Sequence, residues 1–138
     1  MKTLLAVASA LPMALLANAA AAGGYGGKWP LTVTHSQRAD GDYCLTLNDD
    51  GQMGWPHSGE ASLTGQKVGG TLPFGTFQVI DREIIITIQQ PGGTGQNAGL
   101  VFAAPAHGGP IGTGFYDQVY GGEEFDSGVA AFGTRGGC

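Results

Sequence analysis

Charge is scarce in this chain of 138 residues, and positive charge is scarcest: six Lys and Arg stand against eleven Asp and Glu. That balance leaves no basic footprint for nucleic acid or for an anionic membrane surface. Cysteine is limited to Cys44 and Cys138 with no C-x-x-C, which removes redox motifs and zinc ribbons. Histidine is limited to His35, His57 and His107, without H-E-x-x-H, and no G-x-S-x-G elbow exists. Helical periodicity is missing after the first apolar run. Glycine is plentiful instead, at 26 residues.

The start of the chain reads as a targeting segment. Met1-Lys2-Thr3 carries one positive charge, an uncharged apolar run follows from Leu4 to Leu16, and Ala17-Asn18-Ala19 is a small-x-small cleavage pattern. This is the order of a secretory signal peptide, predicted over residues 1–22 with cleavage after Ala19 to Ala22. An uncleaved anchor fits less well, because the run is alanine-rich and holds Pro12 and Asn18. Removal of Lys2 takes the formal charge from -5 to -6. The expected location is secreted or periplasmic, with no membrane span after cleavage.

Residues 23–27 form a glycine-rich, flexible lead-in, and 28–138 a single domain. Strand-like runs alternate with glycine-marked turns, the signature of an all-β fold. Eight strands are predicted: Trp29–His35, Asp42–Leu47, Gln52–Thr64 (interrupted by Pro56), Leu72–Ile80, Glu83–Gln89, Leu100–Ala104, Thr113–Tyr120 and Ser127–Thr134. Period-2 alternation turns Trp29, Leu31, Val33 and His35 inward, along with Tyr43, Leu45 and Leu47, and with Ile84, Ile86 and Ile88. Leu72/Phe74 and Phe77/Val79 lie in opposite phases, which predicts a bulge at Gly75. Connections are mostly short, so sequence neighbours should pair. The expected architecture is a small antiparallel up-and-down β-barrel, which leaves no exposed sheet edge; the alternative is a β-sandwich.

In an oxidising compartment Cys44 and Cys138 form an even pair, read as a disulfide. The outward phase of Cys44 leaves it where a C-terminal tail can reach. Gly27-Lys28-Trp29 opens the first strand with G-x-W, and Arg135 follows the last. This pairing resembles the calycin superfamily of lipocalins, fatty-acid-binding proteins and avidins. The resemblance implies that Trp29 closes the barrel floor and that Arg135 packs across its ring, a cation on an indole face. The C-terminal lipocalin helix has no counterpart here, nor do the polar side chains with which avidins hold biotin.

Candidate chemistry is thin. Gly93-Thr94-Gly95-Gln96-Asn97-Ala98 matches G-x-G-x-x-A, but a strand-like run follows where a dinucleotide site needs a helix N-terminus. Asp40/Asp42, Asp49/Asp50 and Glu123/Glu124/Asp126 are best read as solvated turns, with no calcium-loop spacing. The candidate ligand-binding residues are His35, Tyr43, Trp55, His57 and Tyr116. Trp55, Tyr116 and Tyr120 are the aromatics expected to be partly exposed. Ala104, Ala131 and Gly133 are too small to reach the barrel axis, which predicts a small, mostly apolar cavity with His35 or Tyr43 near its mouth. Phe102, Phe115 and Phe132 would fill that space if they turn inward. No motif calls for a metal, a cofactor or a catalytic group. The composite expectation is a non-catalytic domain that binds a small apolar ligand or a cell-surface component. A structural or adhesive extracellular component is the alternative, and a small barrel enzyme with dispersed catalytic residues comes third.

Overall fold

Strands form where β-branched or aliphatic residues alternate with polar ones, and Glu-Ile-Ile-Ile-Thr-Ile-Gln-Gln does so most clearly. The computed structural model describes residues 24–90 and 98–138. It contains β1 (Gly27–Thr34), β2 (Gly41–Leu47), β3 (Ser58–Gly65), β4 (Gly70–Ile80), β5 (Glu83–Gln90), β6 (Ala98–Pro105), β7 (Gly114–Tyr120) and β8 (Glu123–Phe132). One 3-10 turn, Gln66–Val68, sits between β3 and β4. Each strand pairs antiparallel with the next, and β8 returns to β1, closing an up-and-down barrel. The sandwich alternative is thereby excluded. The signal peptide assigned to 1–22 and most of the G-x-G-x-x-A run lie outside the described residues. The one described member of that run, Ala98, opens strand β6 and not a helix.

The inward faces of all eight strands merge into one apolar cluster. Leu45, Leu63, Ile84, Ile86 and Ile88 have no exposed surface at all. A buried Leu or Ile contributes roughly 1.5–3 kcal/mol by leaving water, so this ring of aliphatics is the main stabilising layer. Outward positions on the same strands carry Thr32, Thr34, Glu60, Thr64, Thr76 and Thr87.

Five local expectations are corrected. The third run begins only at Ser58; Gln52–His57 is loop, held where Ser58 Oγ donates to the Trp55 carbonyl (2.8 Å) and accepts from the Met53 and Trp55 amides. The bulge lies one step before Gly75: Ala61 faces Gly75 and Leu63 faces Leu72, so Pro73 and Phe74 share one partner position. That extra residue switches the phase of β4 and leaves Phe74 outside. The segment before β1 is packed, because the Tyr25 side chain is buried and its N–H donates to Asp49 Oδ2 at 2.7 Å. β1 ends at Thr34, and His35 takes a left-handed φ of 59°, which turns its side chain out to solvent. In β8 the inward residues are Asp126 and Ala130, with Ala131 and Gly133 in the other phase. A second bulge leaves Phe125 as the extra residue opposite Gln118 and Val119.

One end of the barrel is sealed. Trp29 is buried, its Nε1 donates to the Tyr25 carbonyl at 2.9 Å, and the Arg135 guanidinium lies 5.2 Å above the indole centre. Arg135 also donates to the carbonyls of Gly24 (2.8 Å) and Gly26 (3.1 Å). Behind it, Cys138 is disulfide-bonded to Cys44, with Cα atoms 5.9 Å apart. The expected packing of Arg135 on the Trp29 ring is present.

Candidate functional site

The opposite end is built differently. After the left-handed turn at His35 the chain folds back over the barrel mouth. Asp126, buried on β8, accepts the amides of Gln37 (3.0 Å), Arg38 (3.1 Å) and its neighbour Ser127 (2.9 Å). Three N–H donors on one carboxylate hold the β1–β2 loop against β8. Inside the loop, Asp40 accepts the Ser36 amide and Ser36 Oγ accepts the Ala39 amide. The loop thereby presents the Ala39 carbonyl to the Tyr43 hydroxyl, which donates to it at 2.6 Å. The Tyr43 ring lies across Gly65, its cross-strand partner on β3, where any Cβ would collide with the ring. Glycine is required there by close approach.

Under this rim is a cavity of about 200 Å³. Its deeper wall is apolar, formed by Val33, Leu100 and Phe102. Phe102 leans against Tyr116, ring centres 5.6 Å apart. Tyr116 donates to Gln118 Oε1 (3.1 Å), and Gln118 Nε2 donates to Gln90 Oε1 (2.8 Å). Among the described residues the Gln90 amide nitrogen donates to none, and the hydrogen-bonded chain ends there. Arg38 and Lys67 complete the rim, with Arg38 stacked 4.1 Å over the exposed Phe125 ring. The cavity is accordingly less apolar than predicted, being apolar within and polar at its lip.

The two rim phenols stay protonated beyond the usual tyrosine range. Burial pushes Tyr43 up, aided by the charges of Asp40 and Asp126. Burial, then the charge of Asp126, pushes Tyr116 up strongly. Both therefore remain neutral hydrogen-bonding groups at any physiological pH.

Of the sequence candidates, Tyr43 and Tyr116 come together here. Tyr116 is fully buried from solvent, contrary to expectation, and meets the cavity with its ring and hydroxyl. His35 lies outside the rim, exposed, with Nδ1 3.1 Å from Thr34 Oγ1. Trp55 and His57 belong to the loop at the sealed end. There His57 Nδ1 contacts Asp49 Oδ2 at 3.0 Å and its ring stands edge-on to Tyr25. Asp49 Oδ1 is buried with no partner among the described residues. Gln90, Gln118, Arg38 and Asp126 were missed. The one available signal was period 2 on β7: Gly114, Tyr116 and Gln118 share the inward phase.

Among the described residues no three His, Cys, Asp or Glu side chains gather where a metal ion could be held. No described helix is long and apolar enough to cross a membrane. No family model, curated protein or solved structure matches this chain.

Proposed function

We propose that this protein is an exported, non-catalytic β-barrel that binds a small ligand in the cavity at its open end. The observation that carries this reading is the lip itself. A half-buried hydrogen-bonded chain, Tyr116 to Gln118 to Gln90, ends on an amide that donates to no described residue, above an apolar pocket. Convergent polar groups over an apolar wall are the usual composition of a ligand site. The volume of about 200 Å³ limits the occupant to a small molecule, because drug-sized pockets begin near roughly 300 Å³ and an apolar cavity of about 150 Å³ takes benzene. Export is supported by the leader and by the Cys44–Cys138 bond, since disulfides persist in oxidising compartments. The calycin-like assignment is supported by the barrel topology and the Trp29–Arg135 contact.

A contact with another surface component is a second reading. Phe74 and Phe115 on the outer wall, 68% and 69% exposed, favour it. Strand-edge assembly is disfavoured, because a closed barrel offers no edge. A catalytic reading rests only on the His57–Asp49 contact at the sealed end, where the neighbouring Ser58 hydroxyl is committed to the loop.

The test is a fragment screen by NMR of single-ring compounds. Binding should shift resonances of Phe102, Tyr116 and Gln118. Val68→Trp, placed at the lip, should abolish those shifts without unfolding the barrel. Shifts confined to Phe74 or Phe115 would move the conclusion to the outer wall.

A further inference from the structure

We infer that the cavity takes a one-ring organic anion, an aromatic carboxylate or its equivalent, held by Arg38 and Lys67; this rests on the open-end cavity being a ligand site.

The argument is an inventory of unused groups. Five Lys and Arg occur among the described residues, and two of them, Arg38 and Lys67, line this one cavity. Neither has a carboxylate within ion-pair distance among the described residues. The Arg38 side chain touches the Phe125 ring, and that stacking leaves the edge of the guanidinium, where its N–H groups lie, open to a ligand. Acceptors at the lip are mostly committed. Asp126 takes three amides, Asp40 takes the Ser36 amide, and the Ala39 carbonyl takes the Tyr43 hydroxyl. Gln90 and Gln118 have each engaged their carbonyl oxygen. What remains at the lip is therefore donors: a guanidinium, an ammonium and the Gln90 amide. Asp40 and Asp126 carry negative charge at the same lip, but their oxygens are turned to backbone amides, so the charged groups with hydrogen-bonding capacity left for a ligand are the two cations, and these complement an anion. The wall beneath, Leu100 and Phe102 with the tilted Tyr116 ring, suits a planar apolar body.

The probes are benzoate, benzyl alcohol and benzamidine, three near-isosteres of charge -1, 0 and +1, titrated into the full exported chain by NMR at low and high salt. Benzoate should bind about tenfold more tightly than benzyl alcohol, the worth of one charge-assisted hydrogen bond, and benzamidine should bind least. The benzoate preference should shrink as salt rises. Arg38→Gln with Lys67→Gln should erase the preference, and thermal melts should show the double variant folded. Lys28→Gln, an exposed basic residue at the sealed end, should leave it intact. Equal binding of benzoate and benzyl alcohol overturns the anion assignment and leaves the ligand site standing. A preference that survives the double variant overturns the roles of Arg38 and Lys67. Absence of binding by all three probes overturns both the inference and the site it rests on.

Discussion

The two ends of the barrel use the same materials, aromatic rings, a cation and carbonyl acceptors, for opposite purposes. At the sealed end the indole and the guanidinium both have backbone acceptors. Trp29 Nε1 and the Arg135 guanidinium reach the carbonyls of Tyr25, Gly24 and Gly26, and the cation covers the indole. At the open end Arg38 also covers a ring, Phe125, but no side-chain or carbonyl acceptor meets its guanidinium among the described residues. The first arrangement ties the segment before β1 and strand β2 to the residues after β8. The second leaves a polar lip over a void. The contrast shows that a cation–π contact is not by itself a structural device; what the remaining donors do decides whether it closes a fold or opens a site.

This comparison can be broken most strongly at the sealed end. Reducing Cys44–Cys138, or replacing both with Ala, frees a loop with a sequence separation of 94 residues. The chain-entropy argument gives about 4–5 kcal/mol for such a loop. Chemical denaturation with and without reductant should show a loss of that order. Trp29→Ala should cost about 3–5 kcal/mol, the range for a buried aromatic, read as a lower urea midpoint. At the open end the largest effect should come from Asp126→Ala. It strands three amides, each bound to a charged acceptor and worth about 1.5–3 kcal/mol where buried and less where loop water can replace it. Hydrogen exchange at Gln37 and Arg38 should accelerate while Trp29 stays protected. If exchange rises equally at both ends, the ends are not independent units of stability.

The smallest expected effect is on pH dependence. Tyr43 and Tyr116 have folded-state pKa values raised above the ordinary tyrosine value. In the unfolded chain the phenols ionise near pH ~10, while the folded barrel still holds them neutral. Their contribution is therefore whole below that pH and is lost as pH rises through their folded-state values. Thermal melts from neutral to strongly alkaline pH should show Tm falling above about pH 10. The double variant Tyr43→Phe, Tyr116→Phe should flatten that limb, and an unchanged slope would place the alkaline sensitivity elsewhere.

The barrel was legible in outline because a half-buried strand must alternate. The inward sets Leu31/Val33, Tyr43/Leu45/Leu47 and Ile84/Ile86/Ile88 were readable directly from period 2. The disulfide was legible from the even cysteine pair and the outward phase of Cys44, and the Trp29–Arg135 contact because an up-and-down barrel brings its first and last strands together. The errors fell where alternation was interrupted. The bulge beside Phe74 reverses the phase of β4 and leaves Phe74 outside, and on β8 the inward set includes Asp126 and Ala130 and not Ala131 and Gly133. His35 was placed inside by extending β1 one residue too far, past the point where its backbone turns left-handed.

The sequence by itself determined that strands would form, which residues of the regular strands face inward and that the cysteines make an even pair, because these follow from local periodicity and composition. Only the tertiary structure decided that the sheet closes, and that Arg38, Lys67, Gln90, Gln118 and Tyr116 share one lip. Those five come from the β1–β2 loop, the 3-10 turn, β5 and β7, separated by up to 80 positions (Arg38 to Gln118). No local signal relates them. Their proximity is a product of strand register, which is set by the packing of all eight inward faces together.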